Sequence, residues 1–150
     1  MIFIDEFPTP TGRASFTPAP FTNADELPDH EYPWVLITGR QLEHWHTGAM
    51  TRRAEMLDKI EPIPVASVHP EELARIKIEP GDPIKLQSRR GVVTAFARAD
   101  TGVSHGQVFL PFCYHEAAAN LLTNEALDPS AKIPEFKFCA IRLMPGQGDE

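Results

Sequence analysis

The chain has 150 residues, a length that fits one globular domain with its own hydrophobic core. Its 15 prolines, with 42% hydrophobic and 23% charged residues, indicate a folded domain of short segments joined by rigid turns and disfavour a helical bundle. The net charge of −7 disfavours nucleic-acid binding, because a phosphate backbone requires a basic surface.

The first third of the chain predicts an arm followed by the start of a barrel. Residues 1–33 are rich in proline with phenylalanines between, which predicts an extended arm or an edge hairpin. The apolar run at 34–37 predicts a buried strand that opens a barrel domain covering 34–145. A polar loop follows at 38–53, and a second buried strand is predicted at 62–68.

The remaining elements alternate between short strands and short helices. In chain order they are a helix opened by Pro70, a turn at 79–82, a β-hairpin over 83–99, a strand at 106–112, a helix at 115–127, a last strand at 136–143 and a disordered tail at 146–150. Six or seven short strands with two or three short helices predict a mainly β barrel. No apolar run approaches the about 18 residues that a membrane-spanning helix needs.

The loop at 38–53, with the sequence TGRQLEHWHTGAMTRR, is basic within an acidic chain. Its glycines allow backbone amides close to a ligand, and its threonines and arginines offer hydroxyl and forked guanidinium donors. These donors are Thr38, Gly39, Arg40, Thr47, Gly48, Thr51, Arg52 and Arg53. The set suits a phosphate or pyrophosphate; the alternative is that the arginines pair with acidic neighbours at the surface.

Generic catalytic and metal motifs are absent from the sequence, which contains no G-x-S-x-G, H-E-x-x-H, P-loop or G-x-G-x-x-G. His44 and His46 could ligate zinc together with His69, His105 or His115. No cysteine or acidic pair supports that spacing, so two histidines that hydrogen-bond across a loop are the favoured interpretation. A stand-alone barrel enzyme such as a small decarboxylase is disfavoured too, since no activated nucleophile is evident.

The two cysteines, Cys113 and Cys139, have no paired spacing that would indicate a disulfide framework. We expect both to be small buried residues. Neither is a candidate metal ligand or nucleophile on sequence grounds.

Four stretches together resemble one known family. LITGRQLEHWHTGAMTRR, HPEELARIKIEPGDPIKLQSRRG, VFLPFCYHEAAANLLTNEALDPSAKIPEFKFCAIRL and the upstream FPTPTGRASFTP are similar, in the same order, to the C-terminal domain of molybdopterin oxidoreductases of the dimethyl sulfoxide reductase family. Soluble formate dehydrogenase α subunits and periplasmic and assimilatory nitrate reductases are the members that the chain most resembles. The similarity spans nearly the whole chain.

The resemblance implies a mainly β fold, the double-psi β-barrel with a few short helices that aspartate decarboxylase also has. It implies binding of a bis(molybdopterin guanine dinucleotide) cofactor with molybdenum or tungsten. The family's cofactor-binding positions fall on Thr38, Gly39, Arg40, His44, His46, Thr47, Gly48, Asn120 and Lys137. Among these, Arg40 and His46 are the expected principal side-chain donors, and Phe112 falls where the family places a residue near the substrate funnel.

The resemblance also implies that the chemistry lies elsewhere. The metal ligand, the iron–sulfur cysteines and the catalytic histidine belong to other domains, so no catalytic or metal-ligating residue and no redox catalysis are expected from these 150 residues alone. The expected partners are the cofactor, the remaining domains of the same enzyme and electron-transfer subunits, without nucleic acid or membrane, in the cytoplasm. A start inside a family motif favours a piece of a longer chain over a natural small subunit.

The sequence leaves two alternatives open. The chain could be the equivalent domain of a nitrate reductase, since formate and nitrate enzymes share these motifs. It could also be a non-catalytic interaction barrel whose proline-rich arm docks a larger partner. The second alternative gives no reason for Thr38, Arg40, Asn120 and Lys137 to converge on one cleft.

Overall fold

The computed structural model describes residues 2–146 and contains six strands that close into a barrel. The strands are β1 (Trp34–Gly39), β2 (Val65–Val68), β3 (Pro83–Gln87), β4 (Val92–Ala99), β5 (Gln107–Pro111) and β6 (Cys139–Pro145). The helices are α1 (Glu55–Ile60) and α2 (Pro70–Arg75), with single 3₁₀ turns at Thr51–Arg53 and Ala119–Leu121. This architecture confirms the predicted mainly β, double-psi barrel class. Of the predicted disordered tail at 146–150, Gly146 is described and its N–H donates to the Pro83 carbonyl at 2.8 Å, and 147–150 lie outside the described residues.

The order of strands around the barrel is β1-β5-β2-β4-β3-β6, in which β1 and β5, and β2 and β4, pair in parallel. The other four pairs are antiparallel. These directions gather the connections at two ends. The long-loop end carries residues 40–64, 88–91 and 112–138, and the short-loop end carries 69–82 and 100–106.

The core consists of the inward-facing side chains of the strands. Because side chains alternate along a strand, β3 and β4 bury every second residue, as the sequence predicted for this hairpin. Fully buried core residues include Leu36, Ile84, Leu86, Leu110 and Ile141, each with no exposed surface. Each such side chain stabilises the fold by about 2 kcal/mol through removal of apolar surface from water.

Helix α2 forms where the sequence predicted a helix. Pro70 occupies the first turn, where its missing N–H is not needed, and Glu71 and Glu72 follow in that turn. The Nδ1 atom of His69 accepts a hydrogen bond from the Glu71 backbone N–H at 3.3 Å and caps the helix. Leu73 anchors the helix to the core, since only 2% of it is exposed.

The predicted helix at 115–127 is wrong, because only the 3₁₀ turn Ala119–Leu121 forms there. The reason lies in side chains that bind backbone groups. The Asn124 Oδ1 atom accepts a hydrogen bond from the Ala126 N–H, and its amide donates to the Glu135 carboxylate and to the Phe138 carbonyl. Such bonds compete with helix formation, and here they fold the segment against the start of β6.

The last strand begins at Cys139, three residues later than predicted. The segment before it is held by side chains rather than by a strand ladder, because the Phe136 carbonyl accepts from Thr38 and the Phe138 carbonyl accepts from Asn124. Lys137 therefore lies in a turn. Helix α1 was not predicted; its segment follows the polar loop directly.

The arm contains no strand within residues 2–33, so the edge hairpin considered from the sequence does not form. Its last part is fixed to the barrel by Glu26, whose carboxylate accepts hydrogen bonds from Arg89, Arg90 and the Ala140 N–H. Its first part leaves phenylalanines exposed, including Phe16 at 97%. Within residues 2–146, no helix has the length and apolar composition needed to cross a membrane.

Candidate functional site

The end of β1 is tied to the turn before β6. Thr38 is buried, and its hydroxyl donates to the Phe136 carbonyl at 2.5 Å. This bond holds the neighbouring Lys137, whose side chain is exposed, close to the point where β1 leaves the barrel. The proton of the Thr38 hydroxyl is therefore engaged within the protein, and Thr38 acts as a tether for Lys137.

Position 39 requires glycine because the ring of Phe109 packs directly against its backbone. A Cβ atom at Gly39 would come within 2.5 Å of that ring. The Gly39 carbonyl accepts a hydrogen bond from the Phe112 N–H at 3.2 Å, so β1 and β5 end side by side. Arg40 and Phe112 consequently leave the barrel from adjacent strands at the long-loop end.

The loop after Arg40 is docked onto the segment that follows β5. Gly48 is buried with φ +74°, and a Cβ there would lie 2.7 Å from the Cys113 carbonyl oxygen. His46 also adopts a left-handed backbone, with φ +50°, and its ring packs edge-on against Trp45. The loop conformation therefore requires glycine at position 48, because any side chain there would clash with the Cys113 carbonyl.

His44 is a buried residue that fastens this loop. Its Nε2 atom lies 2.9 Å from the Glu61 carbonyl oxygen, which also accepts from the Tyr114 hydroxyl at 2.9 Å. The His44 and Tyr114 rings meet edge to face. The His44 Nδ1 atom has no hydrogen-bond partner among the described residues. Its Nε2 atom therefore has a structural use, and a contact between His44 and a ligand stays a prediction.

The three arginines of the loop divide into engaged and free ones. Arg52 pairs with Asp58 at 2.5 Å and with Glu116 at 3.0 Å, and its guanidinium lies 4.8 Å from the centre of the Tyr114 ring. The hydrogen bond from Arg52 lowers the pKa of Glu116 below its ordinary value. For Arg52, the structure therefore agrees with the alternative considered from the sequence, in which a loop arginine pairs with acidic neighbours.

Arg40 and Arg53 are exposed, as is Lys137, and none of the ion pairs among residues 2–146 includes them. Asn120 is exposed too, and its side-chain amide bonds to no other described residue. All four belong to the long-loop end. This end therefore offers cationic and amide donors that the protein itself does not satisfy.

The predicted residues fall into neighbouring pockets rather than one cleft. Thr47, Phe112 and Asn120 line a pocket of 140 Å³, and Thr47 also borders a second one of 420 Å³ with Gly48 and Arg53. A third, of 640 Å³, is lined by Arg40 and His44 among others. Thr38 and Lys137 line none of these three pockets. Convergence of all predicted residues on a single cleft is thus not observed in the isolated chain.

Tyr114 is a site residue that sequence reasoning missed. It lines the pocket that contains Asn120, donates to the Glu61 carbonyl and lies beneath Arg52. Its partners are distant along the chain, so no local pattern could have identified it.

Cys113 and Cys139 are both buried, as the sequence predicted. Burial raises the pKa of each thiol to about 11 and keeps both protonated at neutral pH.

Comparison with known proteins adds a family match. Residues 34–140 match the family described as "Molydopterin dinucleotide binding domain". The "F420-dependent formate dehydrogenase subunit alpha" of Methanocaldococcus jannaschii is 45% identical over 139 residues, which are 93% of this chain and 21% of that protein. The "F420-dependent formate dehydrogenase 1 subunit alpha" of Methanococcus maripaludis is 41% identical over 136 residues, 90% of this chain and 20% of that protein.

A solved structure shares the fold. "Acetylene Hydratase from Pelobacter acetylenicus" superimposes with a TM-score of 0.71 at 18% identity, covering 77% of this chain and 19% of that chain. At this identity the likeness shows the fold alone. The chain spans about a fifth of the length of the curated relatives it matches.

Proposed function

The chain belongs to the molybdopterin dinucleotide-binding domain family, and from that premise we propose that it holds a bis(molybdopterin guanine dinucleotide) cofactor at its long-loop end for a formate dehydrogenase. The observation that carries the proposal is the set of unpaired donors there. In a chain of net charge −7, Arg40, Arg53 and Lys137 remain without acidic partners among the described residues. Such exposed cations at one end of the barrel favour an anionic ligand.

The donor chemistry fits the cofactor. Its two pyrophosphates are anions that forked guanidinium groups bind well, which suits Arg40 and Arg53. The Asn120 amide can both donate and accept, as a guanine or pterin edge requires. Thr47 and Gly48 line the pocket next to Asn120 and bring hydroxyl and backbone groups close to it.

The role of this chain in the reaction is positional. When bound, the metal and its dithiolene sulfurs would supply the two-electron chemistry of formate oxidation. Arg40 and Lys137 would fix the anionic cofactor, while Thr38 holds the Lys137 turn against β1 through its bond to Phe136. Phe112, in the small pocket beside Asn120, would shape an apolar part of the substrate approach.

The proposal includes a larger enzyme around this chain. The loop and helix after β1 expose large apolar side chains, and such a surface next to a binding site is typical of an interface. They are Leu42, Trp45, Met50, Met56, Ile60 and Ile63. We propose that the remaining domains cover this face and supply the metal ligand and iron–sulfur clusters, with electron-transfer subunits beyond them.

Several finer points belong to the same proposal. The formate dehydrogenase relatives favour formate over nitrate as the substrate. A cytoplasmic location rests on the resemblance to soluble formate dehydrogenase α subunits alone. The metal is molybdenum or tungsten, as the resemblance implies.

A nucleotide titration of the chain tests the site directly. GDP, which carries the guanine and a diphosphate, should shift the amide resonances of Gly39, Arg40, Gly48 and Asn120 in an NMR titration. Arg40→Gln should weaken GDP binding about tenfold through loss of a bidentate contact. Shifts confined to residues 69–82, at the opposite end, would contradict the proposal.

Lys137→Gln and Lys77→Gln form a matched pair for the same titration. Both remove one exposed positive charge, but Lys77 lies at the short-loop end. Only Lys137→Gln should weaken GDP binding if the site is local. In the full-length enzyme, Arg40→Gln should lower the molybdenum or tungsten content at unchanged protein stability, and an unchanged metal content would count against the proposal.

A further inference from the structure

A second cluster of chemically capable side chains lies at the short-loop end. His69 follows β2 and opens α2, and His105 stands two residues before β5. The centroids of the two imidazole rings lie 3.9 Å apart, with the ring planes tilted by 39°. Glu71 lies beside them, and one ligand atom from each of these three residues lies within 4.8 Å of the others.

Each ring nitrogen of His105 lies near a carboxylate oxygen. Its Nδ1 atom lies 3.4 Å from the Glu72 Oε1, and its Nε2 atom lies 3.6 Å from the Glu71 Oε2. If Nδ1–H donates to Glu72, the Nε2 atom of neutral His105 presents its lone pair toward Glu71. Two Lewis-basic atoms then face each other without a proton between them.

Glu72 is itself fixed, which makes it a suitable partner for His105. Only 11% of its side chain is exposed, and it receives hydrogen bonds from Arg75 and from the Trp34 indole N–H at 3.3 Å. Histidines that bind metals are held in this way, with the second ring nitrogen donating to a carboxylate. The cluster therefore contains both prospective ligands and the group that orients one of them.

We propose that His69, Glu71 and His105 form a binding site for a divalent transition-metal ion of the zinc type. Two imidazoles and one carboxylate are a ligand set that Zn²⁺ and Co²⁺ accept, with solvent in the remaining position. The Glu71 oxygen and the His105 nitrogen lie 3.6 Å apart, which is close to the separation of two ligands on a shared ion, and the His69 ligand atom lies within 4.8 Å of each.

Binding has a predictable consequence for α2. In the ion-free chain, His69 Nδ1 accepts the Glu71 N–H at 3.3 Å, which leaves the ring proton on Nε2. Coordination through Nε2 transfers that proton to Nδ1 and gives up this helix cap. The Glu71 amide resonance should therefore shift on coordination by His69, as it should on coordination by Glu71 itself.

This site is separate from the proposed cofactor site. β5 runs from the His105 end to the Phe112 end, and its length from Gln107 to Pro111 is roughly 13 Å. The inference does not depend on the cofactor proposal, because it uses none of the same residues.

The test is a titration of the chain with Zn²⁺ by calorimetry and with Co²⁺ by visible absorption. One ion per chain should bind with a micromolar dissociation constant, and Co²⁺ should give the intense absorption of a four- or five-coordinate site. His105→Gln and Glu71→Gln should each weaken binding at least about tenfold. His115→Gln is the matched control: the His115 Nδ1 lies 3.2 Å from Glu116, but among residues 2–146 His115 belongs to no such three-residue cluster.

Two results would overturn the site: no saturable binding up to millimolar Zn²⁺, or binding that His105→Gln and Glu71→Gln leave unchanged. Glu71 is exposed, so Glu71→Gln keeps the fold and remains informative even if His105→Gln perturbs it. Circular dichroism of each variant verifies the fold. A shift of the Glu71 amide on Zn²⁺ addition would support the site, because coordination by His69 or by Glu71 itself alters that amide, and its absence would remove His69 from the site.

Discussion

The two ends of the barrel differ in how completely their polar groups are satisfied. At the long-loop end, Arg40, Arg53 and Lys137 have no acidic partners among the described residues, and the loops are held by buried contacts beneath them. At the short-loop end, a short helix carries Glu72, which is surrounded by donors. The same barrel thus presents cations for an anionic ligand at one end and carboxylates and imidazoles suited to a metal cation at the other.

The largest expected difference between the ends concerns a pair of glycines with the same backbone conformation. Gly48 has φ +74° and Gly106 has φ +72°, but only Gly48 is crowded, with the Cys113 carbonyl 2.7 Å from a prospective Cβ. Gly48→Ala should cost about 3 kcal/mol of unfolding free energy, from backbone strain plus a forced shift of the loop. Gly106→Ala should cost about 1 kcal/mol from strain alone.

Denaturant unfolding of both variants measures these values. Equal losses would show that the loop is not packed onto Cys113 as described. The Gly48 variant should also lose GDP binding, while the Gly106 variant should keep it, since only the first glycine shapes the long-loop end.

The second contrast concerns two arginines. Arg52 is 17% exposed and joins Asp58, Glu116 and the Tyr114 ring, whereas the Arg75 side chain is 61% exposed and pairs with Glu72 within α2. Arg52→Gln should cost about 2 kcal/mol, because charged hydrogen bonds are lost and partners are left unsatisfied. Arg75→Gln should cost about 0.5 kcal/mol. Thermal unfolding monitored by circular dichroism compares them, and a larger loss for Arg75→Gln would contradict the contrast.

The two ends also differ in how far the sequence predicted them. Pro70 with two glutamates is a local signal, and α2 forms where that signal places it. At the long-loop end, the apolar pattern of 115–127 resembles a helix, but Asn124 binds Glu135 and Phe138 instead. Local propensity could not include those partners because they lie in a segment that only the closed barrel brings near.

The candidate site likewise depends on contacts that form only after folding. The basic loop was visible in the sequence, but whether Arg40 or Arg52 remains free depends on where Glu116 lies after folding. Sequence composition gives both arginines the same chemistry. The family resemblance singles out Arg40, and the tertiary structure gives the physical reason, because Asp58 and Glu116 engage Arg52 while Arg40 stays exposed.

The third contrast sets Glu26 against Glu72, whose side chains are 14% and 11% exposed. Burial opposes ionisation of each, but hydrogen bonds from arginines and other donors outweigh it and lower the pKa of both below the ordinary value of 4.5. Glu26 accepts from two arginines and a backbone amide, so Glu26→Gln should cost about 1.5 kcal/mol at pH 7. Glu72→Gln, with one arginine, should cost about 1 kcal/mol.

Both losses should depend on pH in the same direction. A carboxyl group with a lowered pKa in the folded state stabilises the protein above about pH 4.5, and this stabilisation disappears as the pH falls through the folded-state pKa. Each difference from the wild-type chain should therefore shrink below pH 4.5. A difference that persists undiminished at low pH would show that packing, not charge, is responsible.

The smallest expected loss of unfolding free energy at the long-loop end concerns Thr38 and tests whether its role there is structural. Its buried hydroxyl donates to the Phe136 carbonyl, so Thr38→Val should cost about 1 kcal/mol by leaving that carbonyl without its partner. Thr38→Ser keeps the donor and should restore most of the stability. If Thr38 served the cofactor alone, Thr38→Val would leave unfolding unchanged and weaken only GDP binding. Because the tether also positions Lys137, the structural role predicts that stability and GDP binding decline together in Thr38→Val and recover together in Thr38→Ser.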